Sequence, residues 1–500
     1  MTNNIVAELE AEVARLSVEN EALHDELEAL KRRFFGRSSE HIDGNDQGQL
    51  FDEPDEAEND EHREPIHRSE VRSHTRRNGG RKPLPAHLER EEVLLDIPED
   101  EKQCACGHEL TRIGEEVSEK LEVKPARFVV KRYVRPKYAC SHCEGSGDED
   151  RPAVRIARMP GAVIERGIAT PTLLAFIIVN KYVDSMPLAR QESSFARLGV
   201  ELPRQRMADW IMAVAEAASG VTEHLLHDLR AGPILLVDET TVQVLNEEDR
   251  ADTSRSYMWV GYGGPPQKPV VYYRYATGRA TSEAKTLIDG FSGYLQTDGY
   301  EAYDCVARER DDLVHVGCWA HVRRKFFDAR STGNKAGAAE QAISGIAKLY
   351  QVERELASLP RDEGFLSQRR ARVEPILASM KTWIEKKALH VPPRTSLGKA
   401  VGYALGQWDK LVRYLDHPEL TPDTNRVENK IRPFVIGRKN WLFSGSPRGA
   451  TASAGLYSLI QTAVANDIDP YRYIRTLIAQ LPEASSSDDL RSLLPYNIDL

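Results

Sequence analysis

A heptad repeat of apolar positions opens the chain. Between residues 5 and 33, branched or leucine side chains recur at two positions in every seven, and Asn20 alone interrupts the first of them. A single Asn in such a seam favours two parallel helices in fixed register, at some cost in stability. We therefore expect a leucine-zipper coiled coil over residues 1–38 that forms a homodimer or a higher oligomer; an amphipathic helix packed on its own chain is the alternative. The first position holds Val6, Val13, Asn20 and Leu27, and the second holds Leu9, Leu16, Leu23 and Leu30.

Helical periodicity returns over residues 160–228. One amphipathic pattern ends at Gly199 and a second begins at Pro203, so we expect two helices with a glycine-containing turn between them. This spacing is typical of a helix-turn-helix. Arg204 and Arg206 would then lie at the start of the second helix, where such motifs meet base edges. An ordinary helical hairpin is the alternative.

Residues 230–450 change to strand-like patterns. The runs "PILLVDETTVQVL", "YMWVGYGG" and "PVVYYRYATGR" predict three strands joined by short turns that contain Gly and Pro. A helix over "TSEAKTLIDGF" follows, and "GYLQTDGYEAY" and "LVHVGCWAH" predict two more strands. This order predicts an RNase H-like α/β catalytic domain in which the first and fourth strands are neighbours. The fold class expected for the whole chain is multidomain α+β.

Charge varies strongly along the chain. The net charge of −10 excludes a uniformly basic nucleic-acid coat, so a polyanion site has to be a local patch. Residues 39–98 are first acidic and then basic, which predicts a flexible linker whose basic part could follow a phosphate backbone or pair with the acidic part. The acidic start does not match a secretory signal, and no apolar run approaches the ~18 residues of a membrane span. We expect a cytoplasmic protein.

Four of the six cysteines form two close pairs. Residues 119–140 alternate like a hairpin, which would bring the four thiolates together in the tetrahedral arrangement of a structural zinc site. The first pair has one intervening residue instead of two, so His108 or His142 could replace a ligand; free buried cysteines are the alternative. We expect a zinc-binding module over residues 99–148 and a reducing compartment. The pairs are Cys104 with Cys106 and Cys140 with Cys143.

Acidic residues occur at two of the predicted strands and before a basic stretch. Asp238 lies within the first strand, where an unpaired carboxylate costs several kcal/mol unless it binds metal. Asp298 ends the fourth strand, and alone it could be a turn former. Glu428 precedes a stretch without Asp or Glu, from Asn429 to Asn466. Three carboxylates without Cys or His donors suit Mg²⁺ or Mn²⁺, and two such ions can catalyse phosphodiester chemistry. The basic residues of this stretch that we expect to face nucleic-acid phosphates are Lys430, Arg432, Arg438 and Lys439.

Several stretches resemble the bacterial transposases of insertion-sequence family 66, over nearly the whole chain. They are "FFGRSSE", "GRKPLP", "CACG…KYACSHC", "NKYVDSMPLARQ", "VDET", "TDGYEAY", "CWAHVRRKFFD" and "NRVENKIRPFVIGRKNWLFSGS". The resemblance implies a DDE transposase with Asp238, Asp298 and Glu428 as its metal-binding triad. It also implies a leucine-zipper start, a zinc-binding module and a helical insertion over residues 333–420. For residues 451–500 we expect a helical tail.

The resemblance also implies an activity and its partners. We expect metal-dependent cleavage at the ends of the mobile element and strand transfer into target DNA, with accessory proteins of the same element as further partners. An RNase H-like nuclease or resolvase, and a DNA-binding regulator without catalytic activity, are the alternatives. Cys318 and His321 match a Cys-x-x-His signature of these transposases; either they act near the metals, or they are a strand-end Cys and a surface His. Arg323 and Arg324 of the same stretch are expected to contact DNA.

Overall fold

The structure is a computed structural model of the 500-residue chain, and it describes residues 90–92, 120, 127–139, 154–330 and 337–500. The expected coiled coil lies outside the described residues, as do most of the expected linker and the four paired cysteines. Contacts divide the chain into two compact units, Asp43–Arg132 and a unit made of Met1–Ile42 and Tyr133–Leu500. All helices and strands named below belong to the second of these units.

A short two-stranded sheet has its first strand within the expected zinc module of residues 99–148 and its second strand just after it. β1 (Lys137–Ala139) pairs antiparallel with β2 (Val154–Ile156). The hairpin expected over residues 119–140 is wrong in its described part, because residues 127–136 contain no strand and the partner of β1 follows the second cysteine pair. Pro136 explains why pairing starts at the next residue, since a proline has no N–H to donate to a ladder.

Four helices fill the described chain between β2 and the main sheet. They are α1 (Pro171–Tyr182), α2 (Leu188–Arg197), α3 (Arg204–Ala217) and α4 (Ser219–Arg230). Gly199 has a φ of +79° just after α2, a conformation that costs glycine little because it has no Cβ. Pro203 directly precedes α3, and the carboxylate of Glu192 accepts a hydrogen bond from the N–H of Arg204 (3.1 Å). Two helices and a turn therefore lie where the sequence predicts them, while their contact with DNA stays a prediction.

Five strands of the described chain form one mixed sheet. They are β3 (Ile234–Gln243), β4 (Arg255–Gly263), β5 (Val270–Ala276), β6 (Gly293–Gln296) and β7 (Leu313–Val316). Their order across the sheet is β5-β4-β3-β6-β7. The pairs β3–β4 and β4–β5 are antiparallel, whereas β3–β6 and β6–β7 are parallel. The first and fourth strands of the sheet are neighbours, as the sequence predicts.

The remaining helices fall into three groups. The parallel strands are connected and followed by α5 (Thr281–Ile288), α6 (Glu301–Arg308) and α7 (Trp319–Asp328). The second group is α8 (Ala338–Glu355), α9 (Glu363–Ala388), α10 (Ser396–Val412) and a short 3-10 helix, Arg413–Leu415. The third is α11 (Asn425–Trp441), α12 (Pro447–Ala465), α13 (Pro470–Gln480) and α14 (Ser487–Ser492). The second group occupies the described part of the expected insertion. In the described parts of the chain, no helix combines the length and the apolar content needed to cross a membrane.

A helix covers the outer edge of β5. The hydroxyl of Ser458 in α12 accepts a hydrogen bond from the N–H of Tyr273 (2.8 Å), and the hydroxyl of Thr462 accepts one from the N–H of Val271 (3.1 Å). These are alternate backbone donors of an edge strand, which need a partner if the edge is to be protected. The segment expected as a C-terminal helical tail is thus packed into the domain, and α12 begins before that segment does.

A polar network joins the parallel strands to the second group of helices. Oγ1 of Thr297 lies 2.7 Å from Nε2 of His315 in β7, and Nδ1 of His315 lies 2.8 Å from the carboxylate of Asp304 in α6. Nζ of Lys410 in α10 lies 2.6 Å from the same carboxylate. Burial raises the pKa of Asp304, but hydrogen bonds from His315 and Lys410 outweigh it and lower that pKa to about 2. Asp304 is therefore charged at neutral pH and holds α6, β7 and α10 together.

A buried arginine joins the insertion to the chain that follows it. Arg369 of α9 is fully buried, and its Nη2 donates to the carboxylate of Glu353 in α8 (2.9 Å) and to the carbonyl of Leu420 (3.0 Å). Its Nη1 donates to the carbonyl of Tyr414 (3.1 Å). Removing one member of a buried ion pair leaves an uncompensated charge, which is strongly destabilising. Arg369 therefore fixes α8 and α9 against the segment that leads into α11.

Replacing Arg369 with Gln should lower the free energy of unfolding by about 3–5 kcal/mol, because Glu353 would keep only the more distant Arg361 (3.6 Å) and the buried carbonyls of Tyr414 and Leu420 would lose their donor. Arg372→Gln is the matched control. Arg372 lies in the same helix and pairs with Glu355, but both side chains are 42% exposed, so its loss should stay below about 1 kcal/mol. Urea unfolding followed by tryptophan fluorescence measures both variants. Equal losses would contradict the role of Arg369.

Candidate active site

Parallel pairing of β3 with β6 brings the first two acids together. Leu236 pairs with Gln296 in this ladder, and Asp238 and Asp298 each lie two residues further along their segments. Because β3 and β6 run parallel, an equal offset from this pair places both acids near the same end of the ladder. Oδ1 of Asp298 also accepts a hydrogen bond from the N–H of Tyr300 (2.9 Å). Asp298 is thus both a turn former and a neighbour of Asp238.

Nearby charged side chains affect the pKa of Asp238. Burial raises the pKa of Asp238 well above its ordinary value, and the charges of Glu239, Glu428 and Asp298 raise it further, while His321 opposes them. Oδ1 of Asp238 accepts a hydrogen bond from the N–H of Glu239 (2.8 Å). The three acids predicted from the sequence therefore lie close enough together for their charges to interact.

Glu428 reaches this site from α11. The residue lies in the first turn of the helix, where a negative charge is favoured by the helix dipole, and it is only 9% exposed. Its Oε1 accepts a hydrogen bond from Oγ1 of Thr424 (2.9 Å). Further along α11, Nη1 of Arg438 donates to the carbonyl and to Oγ1 of Thr241 in β3, the latter at 2.9 Å. The helix is thus bound directly to the strand that carries Asp238.

Cys318 and His321 lie against Glu428. Cys318 is buried immediately before α7, and its Sγ lies 3.4 Å from the N–H nitrogen and 3.2 Å from Oγ1 of Thr424. One ligand atom from each of Cys318, His321 and Glu428 lies within 4.8 Å of the others. Burial lowers the pKa of His321, but Cys318 and the nearby carboxylates outweigh it and raise that pKa to about 10. Cys318 and His321 therefore lie beside Glu428, while a role near the metals stays a prediction.

Glu239 occupies a different environment from Asp238. Its side chain is 1% exposed, forms an ion pair with Arg279 and accepts a hydrogen bond from the hydroxyl of Tyr303 in α6. Burial is the main reason why the pKa of Glu239 is raised. Arg279 in turn lies 3.8 Å from the ring centre of Tyr300. Glu239 therefore anchors the helix that follows Asp298, a role that sequence reasoning missed because Arg279 is 40 residues away along the chain.

The basic residues expected to contact DNA differ in exposure. Arg438 is tied to β3, as described above, and burial lowers the pKa of Lys430. Neither observation suits a side chain that is free to reach a phosphate. The exposed members of the set are Arg204, Arg206, Arg324 and Lys439, and the partly buried members are Arg323, Lys430, Arg432 and Arg438.

The fold and the site define a mixed α/β protein in which adjacent parallel strands lead to a cluster of three carboxylates. The chain belongs to the transposase IS66 family, whose model matches residues 166–452. The matched stretch contains the whole main sheet together with Asp238, Asp298 and Glu428. The family resemblance found in the sequence is therefore confirmed.

Three further models of the same kind match other parts of the chain. The zinc-finger binding domain of transposase IS66 matches residues 101–144, which include the four paired cysteines. The model described as transposase C of IS166 homeodomain matches residues 22–93, and the IS66 C-terminal element matches residues 458–496. These matches support a transposase role with a zinc-finger domain.

Curated relatives cover most of the chain. Uncharacterized protein y4qI of Sinorhizobium fredii (strain NBRC 101917 / NGR234) is 34% identical over 451 residues, which are 86% of this chain and 81% of the relative. Uncharacterized protein y4jD of the same strain is 33% identical over 427 residues, or 83% of this chain and 81% of the relative. The chain is similar to both along nearly all of its length.

Proposed function

We propose that this protein is a DNA transposase that cleaves DNA at the ends of an insertion sequence and joins those ends to target DNA. Asp238, Asp298 and Glu428 are its catalytic residues and would hold Mg²⁺ or Mn²⁺. The observation that supports the proposal is the effect of Asp298 and Glu428 on the pKa of Asp238, together with the parallel β3–β6 pairing that precedes Asp238 and Asp298. The strand order β5-β4-β3-β6-β7, with only its first two pairings antiparallel, supports an RNase H-like catalytic domain.

The side chains fit a divalent cation of the hard class. Carboxylate oxygens are the donors that Mg²⁺ and Mn²⁺ prefer. Burial and three like charges raise the pKa of Asp238, and a cation at this position would relieve both effects. When bound, such ions activate the attacking oxygen and stabilise the leaving oxygen of a phosphodiester.

The chain itself orients each carboxylate. One oxygen of Asp238 is held by the N–H of Glu239, and one oxygen of Asp298 by the N–H of Tyr300. One oxygen of Glu428 is held by the hydroxyl of Thr424. All three donors come from within four residues of the acid that they orient, so the site does not depend on DNA to arrange it. Preorganised ligands of this kind lower the reorganisation needed during reaction.

DNA would be bound by basic groups around this centre. Arg204 and Arg206 are exposed at the start of α3, the second helix of the helix-turn-helix-like pair, and Arg324 and Lys439 are exposed on α7 and α11. Phosphate contacts position a protein on DNA, whereas base contacts specify sequence. We assign the α3 arginines to the element ends and the other two residues to the backbone near the acids.

The N-terminal parts have assembly roles in this proposal. The four paired cysteines would hold Zn²⁺ and fold a module too short to build its own core. The heptads of residues 1–38 would join two chains, because each element end requires its own set of acids. A nuclease or resolvase shares the same cleavage centre, so joining of the cut end distinguishes it from a transposase. The hydrogen-bonded acid set argues against a catalytically inactive regulator.

Asp238→Asn, Asp298→Asn and Glu428→Gln should each reduce cleavage and joining by at least about a hundredfold, because each removes a charge from the metal-binding set. Duplexes carrying the flanking element ends, incubated with Mg²⁺, provide the assay. Binding of the same duplexes, measured by gel shift, should persist. Glu301→Gln is the matched control, since Glu301 is exposed only three residues after Asp298. Wild-type cleavage by Asp238→Asn would overturn the proposed site.

Lys439→Gln should weaken DNA binding and lower the slope of log affinity against log salt by about one unit, since each phosphate contact contributes roughly that amount. Lys439 is preferred to Arg438 because Arg438 is bonded to β3 and its loss would also loosen α11. Fluorescence anisotropy at several salt concentrations gives the slope. The exposed Lys386 of α9 serves as the control when changed to Gln. An unchanged slope in Lys439→Gln would exclude this lysine from the DNA interface.

Cys140→Ser should lose about one equivalent of zinc relative to the wild-type protein, because a tetrahedral structural site does not tolerate the loss of a thiolate. Elemental analysis of protein produced with zinc present measures this difference. Cys305→Ser is the control, since Cys305 is a free cysteine of α6. The same zinc content in Cys140→Ser and wild type would contradict the zinc module.

A further inference from the structure

We propose that Cys318, His321 and Glu428 form a second metal site, selective for a thiophilic divalent cation such as Zn²⁺ or Co²⁺. Their ligand atoms lie within 4.8 Å of one another, close enough for one cation to bind all three after small side-chain adjustments. This site differs from the oxygen-only set of Asp238 and Asp298, and Glu428 belongs to both.

The local fold explains why these ligands meet. Cys318 is the N-cap residue of α7 and His321 lies in the first turn of the same helix, so both belong to one helix start. The N–H of Trp319 donates to the carbonyl of Pro422 (2.8 Å), which fixes the start of α7 beside the segment leading into α11. Glu428 then lies in the first turn of α11. Two helix starts are thus held side by side, with the ligands between them.

Not every polar atom of the cluster has a hydrogen-bond partner of its own. Oγ1 of Thr424 has one hydrogen, but it lies within hydrogen-bonding distance of both Sγ of Cys318 (3.2 Å) and Oε1 of Glu428 (2.9 Å). Nδ1 of His321 is buried and, within the described chain, has no hydrogen-bond partner. A buried polar atom without a partner is costly. A metal ion that replaces a proton of His321 would give such a nitrogen a partner.

The chemistry of the donors selects the metal. Thiolate and imidazole favour Zn²⁺ and Co²⁺ over Mg²⁺, which is bound by oxygen ligands. The backbone N–H of Thr424 points to the sulfur and orients it, as hydrogen bonds from surrounding groups do at metal centres. Three protein ligands leave the fourth tetrahedral position for water or for a phosphate oxygen.

Occupation of this site has a consequence for the acids. A cation held by Cys318 and His321 would draw the carboxylate of Glu428 toward itself, so that Zn²⁺ would compete with Mg²⁺ for that side chain. This consequence rests on the proposed function. The binding of the thiophilic cation does not, because it involves neither DNA nor cleavage.

Cobalt titration of the full-length protein tests the site. The protein, first dialysed against a weak chelator to remove loosely bound metal, should develop a near-ultraviolet thiolate-to-cobalt charge-transfer band with about one equivalent of Co²⁺. The four paired cysteines would also give such a band if they bound Co²⁺, so the site is measured by the intensity that wild type shows in excess of Cys318→Ser. His321→Ala and Glu428→Gln should weaken cobalt affinity by at least about tenfold, since each loses a ligand.

Control variants distinguish metal binding at this site from binding by nearby residues. Cys305→Ser removes the other free cysteine of the described chain and should keep the band, and Asp238→Asn should keep it as well. If zinc already fills the site, Cys318→Ser should contain about one equivalent less zinc than wild type. Equal band intensity together with equal zinc content in Cys318→Ser and wild type overturns the proposal. Loss of the band in Asp238→Asn with retention in Glu428→Gln would overturn the assignment of the third ligand.

Discussion

Parallel pairing between β3 and β6 is the constraint on which the site depends. It is short, with Ile234, Leu235 and Leu236 opposite Tyr294, Leu295 and Gln296. Inside the ladder a carboxylate would be desolvated without a partner, at a cost of several kcal/mol. Asp238 and Asp298 lie just beyond this ladder, where each accepts a hydrogen bond from a nearby backbone N–H, although burial still raises the pKa of Asp238. A register shift of one residue would turn one acid to the opposite face of the sheet and separate the pair.

Contacts of β6 with β7 and with the neighbouring helices stabilise this short pairing. β6 has only four residues, and on its other side it pairs with β7, whose His315 lies between Thr297 and Asp304. α10 contributes Lys410 to the same network, so a helix of the insertion supports the strands that carry the site. The insertion therefore has a structural role, although along the sequence it separates Cys318 from Glu428. Trp319 reinforces this role, because its Nε1 donates to the carbonyl of Leu411 at the end of α10 (3.0 Å).

Much of this architecture follows from local patterns. Apolar runs predict β3, β4 and β5, and Gly199 and Pro203 predict the break between α2 and α3, because these signals act within a few residues. A buried acid in a strand pattern likewise points to Asp238. Contacts such as that of Thr424 with Cys318 are beyond such reasoning, since the partners are 106 residues apart and Thr424 has no distinctive local signal. The same holds for the ion pair of Glu239 with Arg279 and for the buried Arg369, whose charge suggests an exposed residue when only its helix is considered.

Truncated copies of the protein that lack α12 would leave the outer edge of β5 uncovered. Ser458 and Thr462 occupy the backbone donors of the sheet edge, so the folded chain offers that edge to no other strand. A reading frame interrupted before Pro447 would still encode every strand of the sheet and all three acids, yet it would leave the edge of β5 bare. Exposed edges recruit strands from other molecules. Such truncated chains would thus tend to associate through β5 even with all three acids unchanged.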